Sequence, residues 1–201
     1  MRPMQANRHT TITVWDPLIR IFHWLLASSF VIAYVIEDER LNLHLLAGSI
    51  IAGLLLFRLS WGFIGTPFSR FRDFLYSVAE IRIHLSGLLR LSASSHPGHT
   101  PAGSVMIFIL LASLALLSIS GIALYGIEQG HGPLGFLTEA AGLETMYFFK
   151  AAHRLLADSI AILIALHIGG VLLESILQKQ NLTLAMITGR KNIQQPTKEV
   201  I

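Results

Sequence analysis

The sequence predicts an all-α protein, a four-helix transmembrane bundle with an amphipathic interfacial helix between spans 2 and 3. Three observations point there. Of 201 residues, 53% are hydrophobic and only 13% charged, with a mean hydropathy of +0.60, whereas soluble domains carry about 25% charged residues. Four apolar segments are each long enough for a hydrocarbon core of about 30 Å, which takes about 20 helical residues. Between the second and third of them, apolar residues share a stretch with arginines in the manner of a helix lying on a membrane surface.

The first span covers residues 17–36. It is long, lacks an A-x-A exit and is followed by three more spans, so it reads as a membrane helix rather than a cleaved leader. The second covers 43–64. Residues 68–91 then set Phe71, Phe74, Leu75, Val78, Ile81 and Leu85 against Arg70, Arg72, Arg82 and Arg90, an apolar face opposed to a basic one. A Ser/His/Pro/Gly-rich run at 92–101 ends that helix, and Thr100-Pro101 suits the start of the third span, 104–127. The fourth, 147–173, is the one with several interior polar groups. Backbone groups in lipid must pair internally, so runs of this length are helices. The whole chain, 1–201, reads as one integral membrane domain without internal repeats.

Charge sets the expected orientation. Arg2, Arg8 and Arg20, then Arg58, Arg70, Arg72, Arg82 and Arg90, then Lys179, Arg190, Lys191 and Lys198 fall on one side of such a bundle. The opposite connections hold Glu37, Asp38, Glu39, Glu128, Glu139 and Glu144 against Arg40 and Lys150. The positive-inside rule then puts both termini in the cytoplasm and the acidic loops in the periplasm, in a bacterial inner membrane. On the cytoplasmic side the sequon Asn181-Leu182-Thr183 is inert. With no cysteine, disulfides, thiolate-held iron–sulfur clusters and covalent c-type haem attachment are excluded.

His153 and His167 stand fourteen residues apart in the fourth span. Along a helix that is about 21 Å of rise and a return to within about 40° of the same face. His23 lies near the cytoplasmic start of span 1 and His44 near the periplasmic start of span 2, so depths match in pairs: His23 with His167, and His44 with His153. Two ligands for each of two stacked haems is the sharp reading. Bis-imidazole iron has no open site for a gas, which suits electron transfer. The plain reading is that membrane histidines bond helix to helix, or bind another metal. His9, His84, His96, His99 and His131 fall in loops or at the interface and read as solvated or turn-capping.

Other residues fit a haem environment equally well as ordinary packing. Gly48, Gly121, Ser118 and Ser120 remove bulk, as small residues also do wherever helices pack in lipid. Arg58, Arg20 and Arg154 sit where guanidinium groups could meet haem propionates. Arg20 and Arg58 could equally snorkel to lipid phosphates, and Arg154 could pair with Asp158 four residues on. Asp158 is also a candidate proton carrier, with a helix-packing role as the alternative.

Several stretches together resemble the bacterial cytochrome b561 family, which includes the cytochrome b subunits of nickel–iron hydrogenases. They are Trp15-Asp16-Pro17-Leu18-Ile19-Arg20-Ile21-Phe22-His23-Trp24, His44-Leu45-Leu46-Ala47-Gly48, Arg58 with Trp61-Gly62-Phe63-Ile64-Gly65, and His153 with His167. The resemblance runs from about Val14 to Lys191. It implies a di-haem b cytochrome exchanging electrons between the quinone pool and a periplasmic partner, with His23, His44, His153 and His167 as axial ligands and Arg58 near a propionate. The partner implied is a c-type cytochrome or a dehydrogenase subunit. The connection between spans 1 and 2, about six residues, departs from the hydrogenase subunits and leaves little surface for docking a large protein.

Superoxide oxidation with quinone is an alternative that a predominantly acidic periplasmic face disfavours, since it would repel an anion and attract a lysine-rich cytochrome. A non-haem histidine-relay transporter and a purely anchoring subunit are further alternatives. Lipid, quinone and a redox protein are the partners expected, with no nucleic acid; a homodimer stays open.

Overall fold

The computed structural model describes residues 9–36, 40–92 and 96–194. Arg2, Arg8, Glu37, Asp38, Glu39 and Lys198, which entered the charge argument, lie outside them. In chain order come β1 (His9–Thr13), α1 (Pro17–Ile36), α2 (Leu41–Ile64), a 3-10 turn (Phe71–Phe74), α3 (Val78–Leu89), α4 (Pro101–Gln129), α5 (Leu137–Ala140), α6 (Leu143–Leu177), α7 (Leu182–Thr188) and β2 (Arg190–Gln194). The helices α1, α2, α4 and α6 are long and apolar enough to cross a membrane. α1 packs on α2, α2 on α4 and α4 on α6. Large apolar side chains such as Val35, Leu56, Phe63, Leu155 and Ile162 face outward, as expected of helices whose solvent is lipid.

α4 and α6 outrun their predicted spans. α6 has 35 residues, about 52 Å of helix, because nothing between 143 and 177 breaks it and its ends are polar enough to stand in water. α4 begins where expected: Pro101 is its first residue and the Thr100 hydroxyl accepts from Gly103 N at 3.1 Å.

The interfacial segment is shorter than 68–91. Phe68 and Leu91 both adopt positive φ, and Ser77 starts α3 with a capping box, its hydroxyl accepting from Glu80 N while Glu80 Oε2 accepts from Ser77 N at 2.8 Å. Leu85 and Leu89 of α3 share one face with Val78, within about 20° of it, and all three are exposed, while Ile83, also exposed, lies about 140° away. Phe74 in the preceding 3-10 turn is buried. It packs on Phe71, Phe108 and His99 instead of facing the membrane.

The terminal segments meet in a small antiparallel sheet, with Thr11 opposite Asn192 and Thr13 opposite Arg190. Gly189, at φ 80°, carries the chain from α7 into β2, and its carbonyl accepts from Val14 N at 2.8 Å and Trp15 N at 3.1 Å. The Asn181 of the sequon accepts from Leu184 N at 2.7 Å and so caps α7. This sheet marks one end of the bundle, called here the clasp end. The opposite end holds the α1–α2 and α4–α6 connections.

Asp16 ties the clasp end together. Its Oδ1 accepts from Ile19 N at 3.0 Å, capping α1, and its Oδ2 accepts from Trp61 Nε1 at 3.3 Å and from Thr66 Oγ1 at 2.6 Å, beyond α2. Burial alone would push this carboxyl up, but the hydrogen bonds from Thr66, Ile19, Trp61 and Leu18 outweigh it and hold it below the usual carboxylate range. With the folded value depressed, its stabilisation is present above the unfolded value and is lost as pH falls through the folded one. Asp16→Ala should cost about 1–2 kcal/mol and lower the melting temperature in detergent by roughly 3–6 °C. Calorimetry at neutral and acid pH checks both, the gap to wild type closing in acid.

Candidate functional site

His44 lies in the first turn of α2 and His153 in the third turn of α6, both at the end opposite the clasp. The bundle brings their rings to 6.1 Å between centroids, inclined at 67°. His44 Nδ1 donates to the Ala33 carbonyl at 3.0 Å. A carbonyl oxygen only accepts, so the lone pair of that ring is on Nε2. Ser120 spends its single hydroxyl proton on the Leu117 carbonyl at 2.8 Å, so its Oγ accepts from His153 Nδ1 at 2.9 Å. The same tautomer follows for His153. Fixing Nδ1 by an acceptor while Nε2 carries the lone pair is how proteins orient imidazole ligands.

A cavity of about 770 Å³, lined among others by His44, Gly48, Gly121, His153 and Arg154, opens beside this pair. Cofactor sites run from about 300 to 1,000 Å³. A Cβ on Gly48 would meet nothing within 4 Å, whereas one on Gly121 would approach His153 Cε1 to 2.9 Å. Gly48 therefore leaves room and Gly121 lets the His153 ring seat against α4. Two imidazoles binding one metal from opposite sides through Nε2, with metal–nitrogen bonds of about 2.0 Å, need ring centroids roughly 6 Å apart. The pair fits a flat prosthetic group that brings its own equatorial donors. Among the described residues no group of three or more His, Cys, Asp or Glu could hold a bare metal ion.

His23 and His167 stand toward the clasp end, both half-buried, with His167 within electrostatic reach of His23. His23 packs edge-on against Trp24 at 5.0 Å, and its Nδ1 is buried without a hydrogen-bond partner. Arg58 is 4% exposed, lying over Phe71 at 4.6 Å and Phe74 at 5.9 Å, and its Nη1 is likewise buried and unsatisfied. Such orphan donors in apolar surroundings are costly and suit an acidic group that comes with a cofactor. Arg20 is engaged elsewhere, its guanidinium donating to the Ile187 carbonyl and fastening α7.

Ile160, seven residues from each histidine of α6, is 0% exposed and centres a cluster with Phe30, Ile51, Leu114 and Leu117. It sits on the same helix face as His153 and His167 and fills the space between the two sites with hydrocarbon. Arg154 is exposed at the cavity, and Asp158 accepts from the Tyr34 hydroxyl at 3.0 Å. At the same end Lys150 stands 3.7 Å from Glu128.

Two histidines expected to be solvated are not. His84 is 5% exposed and bonded to Glu174. His99 is wedged between Trp15 at 4.4 Å and Phe74 at 4.5 Å; burial, then the cations Arg58 and Lys191, pushes its imidazole far below the ordinary range and keeps it neutral. Lys191, counted from sequence among the basic residues of one side, is buried, with Nζ donating to the Gly98 carbonyl at 3.0 Å. His131 stays exposed, its Nδ1 paired with the Gln129 carbonyl.

A family model described as prokaryotic cytochrome b561 matches residues 14–189. The chain is 22% identical to a protein named "Probable Ni/Fe-hydrogenase B-type cytochrome subunit" from Rhodobacter capsulatus, covering 92% of this chain and 83% of that one. Proteins of the same name from Bradyrhizobium diazoefficiens (22% identical, 93% and 88% covered) and Azotobacter vinelandii (23%, 92% and 90%) are also similar. No solved structure matches.

Proposed function

Because this chain belongs to the prokaryotic cytochrome b561 family, membrane proteins that transfer electrons with haem b, we propose that it carries two haems b and passes electrons between the quinone pool and a periplasmic redox protein. The observation that carries this reading is the His44 and His153 pair, with centroids 6.1 Å apart and each Nδ1 fixed by an acceptor. His44 and His153 would hold one haem and His23 and His167 the other. Bound haem supplies one-electron chemistry at its iron; the chain supplies geometry and potential.

Ala33 and Ser120 keep the two rings of the first pair turned to present Nε2. Arg58 offers its unsatisfied Nη1 to a propionate at the clasp end, and Arg154 offers its guanidinium at the other. The cluster around Ile160 keeps water out between the sites. Both termini face the cytoplasm of a bacterial inner membrane, which puts the His44 and His153 site toward the periplasm. A c-type cytochrome or a dehydrogenase subunit is the partner the short α1–α2 connection and acidic loops favour. A hydrogenase is the second reading, supported by the names of the three relatives.

Purified protein should be red, with a dithionite-reduced b-type spectrum and two haems per chain by pyridine haemochrome. A colourless preparation would favour the transporter reading. Reduction of the haems by quinol, followed by their reoxidation on adding a c-type cytochrome, would support the direction and partner; reduction by hydrogen only when a hydrogenase is present would replace that partner.

A further inference from the structure

Glu174 lies seven residues beyond His167 on α6, about 10 Å further along and within about 20° of the same face. It is 7% exposed, yet three side chains address its carboxylate: Thr100 Oγ1 donates to Oε1 at 2.9 Å, Gln178 Nε2 to Oε2 at 3.2 Å, and His84 Nε2 lies 3.1 Å from Oε1. His84 reaches in from α3. A buried carboxylate beside a buried imidazole adds little stability over apolar packing of the same volume. Stability alone does not account for the pair. The amide oxygen of Gln178 beside it is buried and has no hydrogen-bond partner.

A route leads outward from the pair. The His84 ring meets His96 edge-on at 5.6 Å, His96 meets Tyr76 at 6.0 Å, and Glu80, at the exposed start of α3, is within electrostatic reach of both His96 and Tyr76. The other charged or titratable groups facing the pair are Lys191 of β2, coupled to Glu174, and His99, coupled to Lys191. None of these residues belongs to the four proposed ligands.

We propose that the His84–Glu174 pair is a proton-exchange site coupled to electron arrival at the His23 and His167 end, with His96 and Glu80 connecting it to water. It rests on the haem reading of that end. When quinol, or dithionite in the test, delivers an electron there, the pair takes up part of a proton from water, at most about half a proton per electron for a tenfold change in affinity, and releases it when the electron leaves. A negative charge about 10 Å away strengthens proton binding roughly tenfold at an effective dielectric of about 20.

The test is potentiometric titration of the purified haem-loaded protein from mildly acidic to mildly alkaline pH. In the wild type the midpoint of one haem should fall as pH rises. Glu174→Gln keeps the shape and an acceptor oxygen, and should remove at least half of that slope while haem content and the other midpoint hold. A staple that only fastens α3 to α6 would leave the slope untouched, and an unchanged slope in Glu174→Gln overturns the proposal. Should that variant lose haem, redox-difference infrared spectra of the wild type in water and deuterium oxide decide: carboxyl or imidazole bands that shift on reduction support it, and none overturns it. Two haems with pH-independent midpoints would sink this proposal alone. A colourless protein would sink the haem reading and this proposal with it.

Discussion

His44→Ala and His153→Ala are each expected to lower haem content from two per chain to one, and combining them should cost no more than either alone. The two rings act as a unit: with either imidazole gone, the remaining one would have to hold the haem alone. Ser120→Ala removes the acceptor that fixes His153 Nδ1 without removing a ligand, so it should retain haem but weaken its binding about 10–100-fold. His99→Ala, altering a histidine neither proposed as a ligand nor near this pair, should keep both haems. Pyridine haemochrome per mole of protein checks the first set, and haem loss to apomyoglobin the second. If His44→Ala kept two haems with an unchanged spectrum, the ligand assignment at this end would be wrong.

Gly62→Val should be strongly destabilising. A Cβ at Gly62 would lie 2.1 Å from Phe71 Cε2 and 2.4 Å from Cζ. The ring has nowhere to go: the Arg58 guanidinium covers one side at 4.6 Å, and Phe63, Phe74 and Phe108 surround the rest. Overpacking of this kind costs about 1–3 kcal/mol, and here it also pushes the 3-10 turn off α2. Melting in detergent should fall by roughly 4–10 °C. Adding Phe71→Leu should recover part of the loss, because the two positions share one space and their effects are not additive.

What could be read from the sequence, and what could not, divides along a physical line. The four spans were legible because hydropathy over 20 residues is a one-dimensional property, and Thr100 with Pro101 announced where α4 starts. The meeting of His44 and His153 followed from helix arithmetic and matched depth, since each falls near the same edge of its span. The roles of His84, His99 and Lys191 were illegible because each is engaged by residues remote in the chain: Glu174 for His84, Trp15 and Phe74 for His99, the His96 and Gly98 carbonyls for Lys191. A polar residue in a connection is ordinarily solvated, and nothing local signals the exception. The sheet escaped for a similar reason. His-Thr-Thr-Ile-Thr and Arg-Lys-Asn-Ile-Gln are short and polar, and each is a strand only in the company of the other.

That pairing imposes an order on biogenesis. β1 precedes every span and β2 follows them all, so the ladder cannot zip up until the ribosome has finished the fourth span and the segment beyond it. Through the whole of insertion, Lys191 is not yet under Trp15 and the Ile187 carbonyl is not yet available to Arg20. The nascent bundle thus stays unlatched at the clasp end until β2 has been made.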